Sequence, residues 1–390
     1  MDRRLLVIVL TLVVNLIGFG IMIPLLPLYV KAFGASELVI GLVIATFSLC
    51  QLVAAPALGA LSDRWGRRPI LILSLIGTAV SFVMLALARS VPMLFAARLV
   101  DGLSGGNIST ARAYVADITS EDERAKAYGL IGAAFGVGFV LGPALGGALA
   151  HVSYTAPIWA AAALTLVATV LAWIWLPETV HRGTANAAPF WAGLRDAFGS
   201  GTLRPLLIVD LAYWTATAVF QGTFALVGAH RFGFDVPHVG YVLAAFGVLG
   251  VIVQVKVTGP IVAALGERRV FALGLLLAAI GLGGAALTHD VRLFLVALVP
   301  YAVGSALCTP SLASLISRAA TPEEQGTVQG AASALESLGR TIGPVWGTAV
   351  MQRLGDTAAF GSGALLLAAT VALVVAGPVG NGRASSRAAA

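Results

Sequence analysis

The chain of 390 residues is 58% hydrophobic and only 11% charged, with 24 Lys and Arg against 18 Asp and Glu, and its mean hydropathy is +0.93. A soluble domain carries about 25% charge, so this composition excludes a water-covered surface and places the chain in a bilayer. The net charge of +6 is not a nucleic-acid footprint, because the cations punctuate apolar runs instead of gathering on one face among aromatics. Cys50 and Cys308 lie inside apolar runs and the five histidines are scattered. They spell neither a disulfide framework nor a metal cluster, so no metal or cofactor is expected.

The opening "MDRRLLVIVLTLVVNLIGF" has the basic and then apolar layout of a signal peptide, but the apolar stretch runs on through "GIMIPLLPLY" without a small-residue cleavage site. It is expected to stay as a first span. At about 20 apolar residues per crossing, cuts at charges and turn residues give twelve segments: 5–29, 38–61, 70–88, 93–115, 126–150, 157–176, 205–229, 238–263, 270–287, 293–316, 325–350 and 358–377. An even number puts both termini on one side. The loops and tails of that side hold fifteen Lys and Arg against five on the other. Both termini are therefore expected in the cytoplasm.

The polar link from 176 to 205 divides the spans six and six, which predicts an N-terminal bundle (1–180), a cytoplasmic linker (181–204) and a C-terminal bundle (205–390). The halves also resemble each other. "GLVIATFSL" from 41 recurs as "GYVLAAFGV" from 240, "GALSDRWGRRPIL" from 59 as "GPIVAALGERRVFAL" from 259, and "FVLGPALGG" from 139 as "RTIGPVWGT" from 340. One near-constant offset marks a tandem duplication. Two parallel six-span repeats around a midplane site are the layout of a secondary transporter, so the expected fold is all-α, with twelve transmembrane helices in two pseudo-symmetric bundles.

Between spans two and three, Asp63, Arg64, Arg67 and Arg68 crowd a chain otherwise poor in charge. Arg67 and Arg68 alone read equally well as a positive-inside anchor. Asp63 and the glycines do not: Gly59 would let helices approach, Gly66 would allow a tight turn, and Asp63 would offer a carboxylate to a helix N-terminus. The string from Gly59 to Arg68 resembles the signature loop of the major facilitator superfamily. The resemblance implies that Asp63 gates the cytoplasmic face by meeting the start of span eleven near residue 325, with Arg67 or Arg68 facing Asp117.

Span four carries Arg98, Gly102 and Gly106 on one face. An arginine there costs at least ~2.5 kcal/mol unless it is paired or wet. Arg98 with Asp101, at i and i+3, can be a pair that neutralises itself. The stretch also resembles the span-four motif of drug/proton antiporters, whose arginine is implicated in proton handling. In span five, Gly138, Gly142 and Gly146 form a small-residue stripe suited to packing. With Pro143 and Gly147 the string resembles the antiporter signature, which implies export by exchange.

Longer pieces, among them "YVADITSEDERAKAYG" and "LPET", resemble the tetracycline efflux branch across nearly the whole chain. That branch keeps intramembrane acids at positions that here are Asn15, Ser81 and Ala279. The loss argues against a metal-chelated tetracycline as substrate. Other intramembrane acids are candidates for the coupling proton instead: Asp101, Asp210 and Glu336. Glu336 and Arg340, at i and i+4, can form a self-neutralising pair, and Asp210 and Lys256 lie at similar depth and could pair. Asn15, Phe19, Met22, Tyr213, Trp214, Gln221, Phe224 and Arg340 are candidate lining of the substrate cavity.

The resemblance as a whole implies a monomeric bacterial inner-membrane protein that exports a small amphipathic drug-like compound, driven by the proton gradient without a cofactor. A proton-coupled importer or facilitator of a small metabolite is the alternative, and a membrane sensor that moves nothing is a second. No nucleophile, base and orienter arrangement suggests an enzyme.

Overall fold

The computed structural model describes residues 3–179, 195, 198–321 and 324–377, and among these all regular structure is helical. The elements are α1 (Arg3–Ala32), α2 (Glu37–Trp65), α3 (Arg67–Ala86), α4 (Val91–Leu103), α5 (Asn107–Ile118), α6 (Glu121–Ala150), α7 (Ala156–Trp175), α8 (Leu203–Phe232), α9 (Val236–Ile252), α10 (Thr258–Leu265), α11 (Glu267–Leu287), α12 (Val291–Ala319), α13 (Gln325–Leu354) and α14 (Asp356–Ala376). Each of the twelve expected segments falls on helix. The expected linker lies largely outside the described residues.

Among the described residues ten spans are long and apolar enough to cross a membrane, α9 and α10 counting as one through a π-helical turn at Val253–Val257. The two exceptions are informative. Span four is broken at Ser104–Gly106 into α4 and α5, and span eleven, α13, carries Glu336 and Arg340 among Ser, Thr and Gly. These two spans hold most of the intramembrane charge.

Ordinary capping sets several of the helix ends. Ser36 accepts from the Val39 amide at the start of α2, and Asp290 accepts from Arg292 and Leu293 at 2.8 and 3.0 Å at the start of α12. Gly66 and Gly266 occupy φ of 110° and 78° at the matching turns of the two repeats, a conformation that side chains with a Cβ resist.

The chain contacts define two compact units. One comprises Met1–Ala187 with Phe224–Gly247, the other Ala188–Thr223 with Val248–Ala390, and the division falls inside α8. In the first unit Leu12, Leu16, Leu71, Leu75, Tyr114 and Ile131 belong to one buried cluster that joins α1, α3, α5 and α6. The glycine stripe of span five packs directly on α1. A Cβ at Gly138 would press on Leu16, one at Gly142 on Gly20, and one at Gly146 on the Ile21 carbonyl. Backbones this close gain dispersion and Cα–H contacts that lipid cannot replace. Gly147 turns the other way, towards Pro237 and Gly240 of α9.

The second unit repeats the device. Gly339, Gly343 and Gly347 of α13 lie against Trp214, Thr215, Ala218, Val219 and Thr223 of α8, each 201 positions after its counterpart in α6. The duplication seen in sequence is thus a duplication of backbone contacts between the first and fifth spans of each repeat.

Candidate functional site

At the turn between α2 and α3, Arg67 pairs with Asp63 one turn back and reaches Asp117 of α5 with Nε at 3.1 Å. Arg67 also donates to Ser62, while Arg68 donates to the Trp173 carbonyl at 2.6 Å, and Arg64 is exposed. A carboxylate does sit on a helix N-terminus here, but it belongs to Glu178. Its oxygens accept from the Arg67 and Arg68 amides at 2.9 and 3.3 Å, the orphan donors and positive end of α3. A Cβ at Gly66 would land on that carboxylate, so Gly66 serves a close approach as well as a turn. Gly59 does not have the role expected of it, since a Cβ there would meet open space. The sequence offered one hint of Glu178, the "LPET" string, without a partner to assign it.

The second unit holds a counterpart of reversed polarity. Glu267, at the start of α11, accepts from Arg318 of α12 at 2.8 Å and from Ser314 at 3.0 Å. Where the first repeat has Arg67 and Asp117, the second has an acid and then a base.

Deeper in the first unit, Arg98 Nη1 meets Asp101 Oδ2 at 2.7 Å, with both side chains buried. Thr78 and Ser81 of α3 stand beside the same carboxylate, Ser81 donating to the Thr78 carbonyl at 2.8 Å, and the guanidinium lies over the Phe47 ring at 4.6 Å. The expected pair therefore exists, and it welds α4 to α2 and α3. Just beyond it the chain breaks: Gly105 accepts from Gln51 of α2 at 3.1 Å, and the glycines at 102, 105 and 106 admit Phe47, Cys50, Gln51 and Leu58 of that helix. Open backbone at this depth is tolerable because side chains from neighbouring helices cover it.

In the second unit Asp210 is 1% exposed and does not pair with Lys256. The charged groups that act on it are Glu336 and Arg340, and Trp214 hydrogen-bonds its carboxylate, whereas Lys256 sits exposed in the π-helical turn. Equal depth did not mean a shared face. Arg340 reaches Glu336 at 3.5 Å, donates to Ser337 at 3.3 Å and lies over the Trp214 ring at 5.2 Å.

The candidate lining residues separate by exposure. Phe19, Trp214, Gln221 and Arg340 are half-buried, whereas Asn15, Met22, Tyr213 and Phe224 are buried. Tyr213 is a packing residue, with its hydroxyl on Thr309 at 3.1 Å and its ring against Phe271. Asn15 Oδ1 has no hydrogen-bond partner.

The model of the Major Facilitator Superfamily matches residues 8–256 and again 209–389. The chain belongs to this superfamily. The tetracycline resistance protein of class C from Escherichia coli is 33% identical over 91% of both chains, and that of class G from Vibrio anguillarum is 37% identical over 85% of this chain and 86% of its own. Among solved structures, the human organic anion transporter MFSD10 (TETRAN) superposes with a TM-score of 0.75 at 27% identity, over 95% of this chain and 99% of that one. Within the superfamily the chain falls in the branch that holds the tetracycline resistance proteins. It is a multi-pass membrane transporter and not an enzyme.

Membership gives the departures from that branch a structural meaning. Ser81, at a position where an acid is expected, is fully buried and stands beside Asp101, so a carboxylate comes close to the same place from α4. Ala279 is buried within α11.

Proposed function

We propose that the protein exports a small amphipathic, drug-like compound from the bacterial cytoplasm in exchange for protons, by alternating access. The observation that carries this reading is the likeness to tetracycline resistance proteins over nine-tenths of both chains. The likeness of the span-five string from Gly138 to Gly147 to the antiporter signature favours export over uptake. Binding a proton at an intramembrane carboxyl, Asp101 or the Asp210 and Glu336 group, biases which face is open, provided the two conformations hold that proton unequally. Asp63, Arg67, Arg68 and Asp117 act at the cytoplasmic gate.

Inverted membrane vesicles test this. Tetracycline and amphipathic dyes are offered with the vesicle interior acidified, and accumulation should collapse when the pH gradient is dissipated. Accumulation that is indifferent to the gradient would refute exchange, and acid-driven loss from preloaded vesicles would point to an importer.

A further inference from the structure

Where α3 leads into α4, the first unit has a groove lined entirely by apolar side chains. Ile76, Val80 and Val83 of α3, Leu87 just past its end, Met93 of α4 and Leu166 of α7 surround a cavity of about 250 Å³. Val80, Leu87 and Leu166 are 47%, 55% and 50% exposed, so the groove opens outward. In a multi-pass membrane protein such an opening faces hydrocarbon. From Ile76 to Leu87 the chain rises about 16 Å, at roughly 1.5 Å per residue, close to half of a ~30 Å hydrocarbon core. The groove therefore has the depth of one leaflet, with Ile76 towards the middle of α3 and Leu87 at its end.

The end at Leu87 carries a cation. Arg89, in the turn between Leu87 and Met93, is exposed and has no ion pair or hydrogen-bond partner among the described residues. The duplicated turn, 200 positions on, has His289 and Asp290 in place of Arg89 and Ser90, and the Asp290 carboxylate accepts from the Arg292 and Leu293 amides. The second repeat thus supplies its own anion where the first has a hydroxyl beside a guanidinium.

We propose that this groove binds one anionic phospholipid of the bilayer, with an acyl chain lying along α3 between α4 and α7 and the phosphate held by Arg89. A guanidinium meets phosphate oxygens with parallel N–H donors. A zwitterionic headgroup offers the same phosphate but brings a cation of its own to Arg89, so the site selects net negative charge as well as the chain. Such a site serves the protein whichever way it moves its substrate.

Native mass spectrometry of the full-length protein in detergent, titrated with phosphatidylglycerol or with phosphatidylcholine of identical chains, tests both ends of the site. The wild type should prefer phosphatidylglycerol. That preference should fall about fivefold in Arg89→Gln, the share of one basic residue at an anionic surface, and survive in Arg89→Lys. Ser90→Asp, which gives the first repeat the acid of the second, should lower it as Arg89→Gln does. Val80→Trp fills the groove from its exposed side and should weaken both lipids alike. Glycerol phosphate, the head without the chains, should displace neither. An unchanged preference in Arg89→Gln, unchanged affinities in Val80→Trp, or displacement by glycerol phosphate overturns the proposal. So does release of the lipid by tetracycline, or a dimer that Val80→Trp abolishes, since either gives the groove to another occupant.

Discussion

Lys31 Nζ lies 2.5 Å from His230 Nε2, and the two residues are 199 positions apart, within the offset that separates the repeats. They are counterparts, at the last turns of α1 and α8. Glu37 stands 3.9 Å from the same imidazole nitrogen. The ends of the two homologous first spans therefore touch through equivalent positions, with the imidazole accepting from the ammonium.

Charge substitution at this contact gives a first prediction. His230→Glu makes it an ion pair and His230→Arg makes it a repulsion, each an effect of about 0.2–1 kcal/mol for partly exposed groups. The glutamate variant should melt higher and transport more slowly, and the arginine variant should melt lower. Identical melting of the two would show that the contact holds nothing together.

Filling the span-five stripe should be costly. A Cβ at Gly142 already meets Gly20, so Gly142→Leu overpacks the α1–α6 contact by about 1–3 kcal/mol or more. Gly343→Leu should have a like effect on α8 and α13, where Ala218 and Thr215 stand as close. Thermal unfolding in detergent reads both, and an unchanged midpoint for either would contradict the packing.

At the turn, Gly66→Ala should lower stability and transport, through both its φ of 110° and the Glu178 carboxylate, while Gly59→Ala should be silent. Glu178→Gln keeps the shape and loses the charge on the α3 terminus, costing about 0.3–1 kcal/mol. Equal effects of the two alanines would remove the special role of Gly66.

The clamp in span four makes a further separable prediction. Asp101→Ala leaves Arg98 buried and unpaired and should destabilise by about 3–5 kcal/mol. The double change Arg98→Leu and Asp101→Leu should recover most of that loss. A double variant as unstable as the single would show that the pair matters for more than charge balance.

The helical segments, the repeat and the Arg98–Asp101 pair were legible in the sequence, because apolar run length, a constant offset and an i, i+3 spacing are local quantities. Partners across helices were not. Depth along a span suggested Asp210 with Lys256, but the face each presents depends on packing, and a π-helical turn lies at Lys256. Glu178 reaches Arg67 across 111 positions, and Gln51 reaches Gly105 across 54, distances at which spacing says nothing. Gly59 was misread because the pattern marks a glycine without saying whether anything stands against it. The break in span four was signalled by "SGGN" but was hidden within an otherwise apolar stretch.

The reversed polarity of Arg67 with Asp117 and Glu267 with Arg318 bears on how the chain assembles. A duplicated protein emerging into the bilayer can pair a helix of one repeat with the wrong copy of its neighbour, since the apolar faces are nearly the same. Such a swap would set Arg67 against Arg318 and Glu267 against Asp117, like against like. Only the correct match brings opposite charges together, so the ion pairs reject the misassembled isomer even where they add little to the finished one.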